Sequence, residues 1–274
     1  MILLDGAKIA RKVYADLKTE IAALPAKPRL AVVVVGKDPV VESFITQKKK
    51  AAESIGVEVR VYPFPETITT NELRRRIAVI VHEKKNMGVI IQLPLPPHIN
   101  KHYILNAIPP EKDPDVLSGR AIGNFAVGKS SIMPPVAQAI KLLFENYGVD
   151  YKNKHVLLLG AGSLVGRPVA LWLLSEHASF SVVGSPEHDP EPFFQSAEIV
   201  IAGIGRPGFV TGKMVRQGTV VVDAGTSESA GRVVGDVDVR SVSPKASYLA
   251  RVPGGVGPVT VASLLKNLLI LAKR

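Results

Sequence analysis

A buried strand that stops at a glycine turn and runs straight into a helix constrains this chain more than any other stretch: VLLLGAGSLVGRP, residues 156–168. Val156–Leu159 is an uninterrupted apolar run, the pattern of a parallel strand covered on both faces. Gly160, Gly162 and Gly166 remove Cβ atoms where a chain must turn tightly, where a ligand nears the backbone, and where a helix packs on a strand. Residues 169–174 read as the apolar face of that helix. Its N-terminus would offer unpaired N–H groups and the positive end of a dipole to a dinucleotide pyrophosphate. A strand-turn-helix joint with no ligand uses the same glycines, so context matters. Three further apolar runs, 180–184, 199–204 and 219–225, follow at βα intervals and predict a four-strand nucleotide-binding half.

The preceding half carries the same grammar. Ile9, Val13, Leu17 and Ile21 recur at helical spacing within residues 4–24, ahead of Pro25. A strand is expected over 30–35, a helix over 41–55 stopped by Gly56, a strand over 57–62, a helix over 71–83 and a strand over 87–92. This βαβαβ order predicts a parallel sheet with right-handed crossovers. Residues 94–114 are punctuated by six prolines and read as loop; a helix over 136–147 leads into the glycine-turn half, and a terminal helix over 261–273 returns to pack on the first domain.

At 274 residues the chain is long enough for two domains, and 46% hydrophobic with 21% charged residues describes a globular protein. The absence of cysteine excludes disulfides, thiolate nucleophiles and cysteine zinc sites, and suits a reducing compartment. No uncharged run reaches the roughly 20 residues of a membrane helix, and the N-terminus lacks the order of a signal peptide, so a cytoplasmic location and no membrane partner are expected. A formal charge of +10 would attract anionic ligands. The basic residues are dispersed and aromatics make up only 5%, which argues against nucleic acid.

Phe44 and Lys48 lie four apart, on one face of the second expected helix. A lysine at the edge of an apolar face commonly snorkels to solvent. A chemical role requires a depressed pKa, because an amine near 10.4 is protonated at neutral pH. Gln92 ends a buried strand at the carboxyl edge where open α/β sheets bind ligands. Asp113 and Asp115 share a proline-bounded loop, as turn formers or as a pair able to coordinate a metal or share a proton. His98 and His102 have ligand spacing without a convincing helix, so no metal is expected. VPGGVGPVT, residues 252–260, specifies a tightly turned backbone suited to lying against a flat ligand or simply to a tight connector.

In family order, residues 35–57, 88–96 (GVIIQLPLP), 108–117 (IPPEKDPDVL), 157–168, 197–208, 220–225, 233–238 (VVGDVD) and 252–262 (VPGGVGPVTVA) resemble the bifunctional methylenetetrahydrofolate dehydrogenase and methenyltetrahydrofolate cyclohydrolase family. The resemblance implies a two-domain α/β protein: an N-terminal αβα domain with a parallel sheet over 1–134, with helix 258–274 packed back on it, and a Rossmann-like nicotinamide domain over 135–257. It implies an active site in the cleft between them, a homodimer, and tetrahydrofolate one-carbon derivatives as substrates. The implied reactions are NAD(P)-dependent oxidation of 5,10-methylenetetrahydrofolate and hydrolysis of the methenyl product to 10-formyltetrahydrofolate. Lys48 would serve the hydrolytic step, Gln92 would support Lys48, and Asp115 would hold the pterin. Phe44, Pro253, Gly254, Gly255, Gly257 and Pro258 would contact folate; Gly160, Ala161, Gly162, Ser163, Val165, Gly166, Ser185 and Thr226 would contact the dinucleotide.

Several positions depart from the family pattern. Phe44 replaces the usual tyrosine, keeping a ring and losing a hydroxyl. Val116 replaces a usual glycine, and Pro135-Val136-Ala137 a usual Cys-Thr-Pro. Gly160-Ala161-Gly162 replaces Gly-Arg-Ser, whose arginine would pair with the 2′-phosphate of NADP. No acidic residue ends the 180–183 strand to select NAD, and the family norm implies NADP, with Arg167, Arg206 or His188 supplying the missing charge. The competing readings are a dehydrogenase lacking efficient cyclohydrolase activity and a non-catalytic dinucleotide- or nucleic-acid-binding protein. Lys48, Gln92 and Asp115 together argue against the latter.

Overall fold

The computed structural model describes residues 1–184, 190–229 and 232–273. In chain order the elements are β1 (Ile2–Leu3), α1 (Gly6–Ala22), β2 (Arg29–Val35), α2 (Pro39–Ser54), β3 (Glu58–Phe64), α3 (Thr70–His82), β4 (Asn86–Ile91), α4 (Lys101–Leu105), α5 (Gly119–Ala126), α6 (Pro135–Tyr147), β5 (Val156–Leu159), α7 (Gly166–Ser175), β6 (Phe180–Val183), α8 (Glu191–Ser196), β7 (Ile199–Ala202), β8 (Val220–Asp223), β9 (Ser227–Ser229), β10 (Arg232–Val234), α9 (Val239–Val242), β11 (Tyr248–Ala250) and α10 (Val256–Ala272). They form two compact units, residues 11–135 with 261–274 and residues 1–10 with 136–260.

In the first unit a parallel three-stranded sheet runs β3-β2-β4. Its centre, β2, is apolar on both faces because helices cover both. Leu30, Val32 and Val34 face Leu17, Ile21, Ile55, Leu265 and Leu268; Ala31 and Val33 face Leu73, Ile77, Ile80 and Ile104. The result is an αβα sandwich. The chain leaves β2 for β3 on one side and returns to β4 on the other, so the switch point lies at the carboxyl ends of β2 and β4, where open sheets bind ligands.

In the second unit a parallel six-stranded sheet runs β1-β11-β8-β7-β5-β6. Leu157, Leu159, Val200, Ala202, Val221 and Leu249 share one buried cluster. The order reverses at β5, between its neighbours β6 and β7, which makes the ends of β5 and β7 the ligand crevice.

The four strands expected here are present, and β11 and β1 extend the sheet. Residues 1–10, grouped by the sequence with the first domain, fall in this unit because Ile2 and Leu3 pair in parallel with Tyr248 and Leu249. The helix expected from residue 4 begins at Gly6. Part of 94–114, read as loop, is helical as α4, capped by the Asn100 side chain on the Tyr103 N–H at 3.0 Å. The terminal helix begins at Val256 rather than 261, taking Gly257 and Pro258 into its first turn, where a missing proline N–H costs no hydrogen bond. Among the described residues no helix is long and apolar enough to cross a membrane.

Candidate active site

The first unit gathers its ionisable groups at the sheet's switch point. Val41, Ile45, Ala51 and Ala52 of α2 pack on the core, which leaves Phe44 and Lys48, one turn apart, half-buried on the adjoining face. Lys48 Nζ donates to Gln92 Oε1 at 2.8 Å. Gln92 follows β4 directly and is held by its own N–H on the Val33 carbonyl at 2.9 Å and by Nε2 on the Leu93 carbonyl at 2.8 Å. A side chain fixed at both ends of its amide presents a definite acceptor to the lysine.

Burial lowers the Lys48 pKa, and the negative charge of Asp115 opposes that shift. Burial likewise pushes the Asp115 carboxyl up to about 6, against the pull of Lys48 and with a further push from Asp113. An amine biased toward neutrality beside a carboxyl that titrates near pH 6 is the arrangement of an acid–base site. Among the described residues no hydrogen bond holds the Asp115 carboxylate. Asp113 does a different job. Its buried carboxylate accepts from the N–H groups of Leu117 at 3.1 Å and Ser118 at 2.8 Å, and so closes the loop.

The second unit builds its site from backbone. Gly160 has φ +100°, and a Cβ there would lie 2.5 Å from the Gly203 carbonyl oxygen; one on Gly166 would lie 2.0 Å from the Gly160 carbonyl oxygen. Any side chain at either position would force the turn open. Gly162 differs: a Cβ on it would meet nothing within 4 Å. The turn is therefore closed on its protein side and bare on its outer side, directly before the N-terminus of α7, where backbone N–H groups suit a phosphate. Arg167, exposed in the first turn of α7, folds its Nε onto the Ala161 carbonyl at 3.2 Å.

Two buried acids hold the loops around this turn. Asp236 accepts from the N–H groups of Ile204 at 2.7 Å and Gly205 at 3.1 Å, just past β7. Asp223 accepts from Gly225, Asp236 and Val237, each at 3.0 Å, and burial pushes its carboxyl up to about 6. The 252–255 turn belongs to the same unit and is tied to the start of α1, the Gly6 N–H donating to the Gly254 carbonyl at 3.0 Å.

A family model for the tetrahydrofolate dehydrogenase/cyclohydrolase catalytic domain matches residues 4–115, and one for the NAD(P)-binding domain of the same family matches residues 134–274. The chain belongs to the tetrahydrofolate dehydrogenase/cyclohydrolase family. It is 38% identical over 276 residues to the bifunctional protein FolD of Moorella thermoacetica, covering 99% of each chain. Its fold matches the bifunctional enzyme FolD of Campylobacter jejuni with a TM-score of 0.95 at 36% identity, covering 100% of this chain and 99% of the other. The enzyme of Trypanosoma brucei, whose structure holds NADP and an inhibitor, matches with a TM-score of 0.94 at 34% identity, covering 100% and 98%.

As a member of this family the chain has a catalytic domain and an NAD(P)-binding domain. The structure brings Lys48, Gln92 and Asp115 together in the first unit, with Phe44 one turn away. In the second unit, Gly160, Ala161, Gly162, Ser163, Val165 and Gly166 form one turn, and Thr226 lies exposed past the end of β8. Pro253, Gly254 and Gly255 form the turn before α10, and Gly257 and Pro258 lie in its first turn. Ser185 and His188 lie outside the described residues. Among the described residues no group of three or more His, Cys, Asp or Glu side chains could hold a metal ion. Sequence reasoning passed over Asp236, whose signal was an acid set between a glycine and a valine in VVGDVD; nothing local says that its acceptor reaches the loop 31 residues back.

Proposed function

We propose that this protein oxidises 5,10-methylenetetrahydrofolate with a nicotinamide dinucleotide and hydrolyses the methenyl product to 10-formyltetrahydrofolate, both as steps of one-carbon metabolism. The observation that carries the reading is the Lys48–Gln92 hydrogen bond beside Asp115. The first step needs orientation more than acid or base, because the cation left after hydride departure is shared by two nitrogens. Bound at the glycine turn, a nicotinamide dinucleotide supplies the hydride acceptor. The turn fits it: bare on its outer side at Gly162 and followed by a helix N-terminus.

The second step needs a base. Lys48, its pKa lowered by burial and further by the cationic substrate, takes the proton from the attacking water. Gln92 Oε1 engages one N–H of that amine and so directs its lone pair elsewhere. Asp115 accepts hydrogen bonds from the pterin, and Phe44 stacks on its ring.

NADP is the favoured dinucleotide. Ala161 cannot pair with a 2′-phosphate, and Arg167, drawn over that same residue by its Nε, leaves the rest of its guanidinium to do so. The enzyme works as a cytoplasmic homodimer, a reading supported by the family resemblance and, for the compartment, by the absence of cysteine. An assay with methylenetetrahydrofolate and each nicotinamide in turn, following reduced nicotinamide and methenyl product separately, tests the proposal. Turnover of both steps is expected. Methenyl product that accumulates without enzyme-dependent hydrolysis identifies a dehydrogenase alone, as the missing Phe44 hydroxyl would favour; no oxidation with either nicotinamide refutes the function.

A further inference from the structure

We infer that Asn267, on the C-terminal helix α10, is a positioning residue for Asp115, an inference that rests on the proposed role of Asp115 toward folate. Around Asn267 the helix is a run of buried leucines, Leu264, Leu265, Leu268 and Leu269, yet Asn267 is itself wholly buried. Its Nδ2 donates to the Pro114 carbonyl at 2.9 Å and to the Met133 carbonyl at 2.7 Å. Its Oδ1 is buried with no partner. A buried acceptor left without a donor is destabilising, a cost in itself. A leucine would avoid that cost but would leave two carbonyls without donors, and one of them belongs to the residue immediately before Asp115.

Pro114 is held from the other side as well. A Cβ on Gly88 of β4 would lie 2.6 Å from Leu268 Cδ1 and 3.0 Å from Pro114 Cγ, so the bare glycine is what lets the proline and the helix close on the strand. Beyond Asp115 the chain is equally fixed. Val116 has φ +55°, left-handed backbone that a β-branched side chain adopts only when its surroundings impose it. Its side chain is buried with Ala121, Ile132 and Leu271. The Val116 N–H is taken by the Asp113 carbonyl at 3.2 Å, and the next two N–H groups by the Asp113 carboxylate. Asp115 thus projects from a segment clamped on both sides, with its carboxylate the group left for a ligand. Because that carboxylate also acts on Lys48, a shift of the loop reaches both ends of the pair.

The test is Asn267→Leu, which removes the donors and the orphaned acceptor at similar volume; Asn267→Ser, which keeps one donor, serves if the first does not fold. The KM for methylenetetrahydrofolate should rise about tenfold, the equivalent of one lost hydrogen bond, with the KM for nicotinamide unchanged. The acid limb of the pH profile should move, and amide exchange at Leu117 and Ser118 should quicken. A lower thermal midpoint with folate KM, pH profile and exchange all as in the parent overturns the inference. If the parent protein does not turn over methylenetetrahydrofolate, the proposed function fails instead, and the exchange comparison, which needs no substrate, decides the positioning by itself.

Discussion

The two units build their candidate sites by opposite means. The glycine-turn unit offers backbone: its turn is shaped by the absence of side chains at Gly160 and Gly166, and the charged groups behind it, Asp223 and Asp236, are spent on loop amides. The lysine unit offers side chains. Lys48 and Asp115 are half-buried and shifted in opposite directions from their ordinary pKa values. A backbone site holds a ligand at a fixed place and responds little to pH. A site of shifted side chains moves protons, and its output follows their titration. Hydride transfer asks for the first kind of site and water attack for the second.

That contrast can be broken most sharply at Lys48. Lys48→Met should cut methenyl hydrolysis by about 10²–10⁴-fold, the range of a lost general base, while methylenetetrahydrofolate oxidation changes by about tenfold at most. Equal loss of both rates would remove the division between the units. Asp115→Asn comes next. In the parent protein kcat/KM for folate should rise as pH climbs through about 6, where the carboxyl ionises. The variant should lose that limb, and at neutral pH about 10²-fold in kcat/KM, two charge-assisted hydrogen bonds being weakened. Stability should move the other way. A carboxyl whose pKa is raised on folding destabilises the fold as pH rises from the ordinary aspartate range to about 6, and that loss is complete above it. The thermal midpoint of Asp115→Asn at pH 7.5 should therefore exceed that of the parent. Arg167→Gln sharpens the contrast from the backbone side: the KM for NADP should rise about tenfold, one charged hydrogen bond, with NAD untouched. Equal effects on both dinucleotides would mean that Arg167 only braces the Ala161 carbonyl.

Much of this was legible before any coordinates. Buried parallel strands announce themselves as apolar runs, and β2, β4, β5, β7 and β8 lie within a residue or a few of their expected limits. The meeting of Lys48, Gln92 and Asp115 came from family resemblance, since the first two are 44 positions apart in the chain and no local period links them. What escaped was held by long-range contacts. Strand β1 is two residues long, too short for any alternation, and exists because it pairs with residues almost at the other end of the chain. Asn267 read as one polar residue in a leucine helix, and its partners lie 134 and 153 residues away. Val116 was visible as a departure from the family glycine, but its left-handed backbone is enforced by side chains from α5 and α10 that the local sequence does not name.

The central claim is that burial keeps the Lys48 amine available as a base. Isotope-labelled lysine, assigned by comparison with Lys48→Met and titrated by NMR in the substrate-free protein, tests it most directly. The expected result is a Lys48 midpoint clearly below the ordinary lysine value of about 10.4, shifting lower still in Asp115→Asn as the opposing charge is lost. A midpoint at or above the ordinary value, indifferent to Asp115, would contradict it.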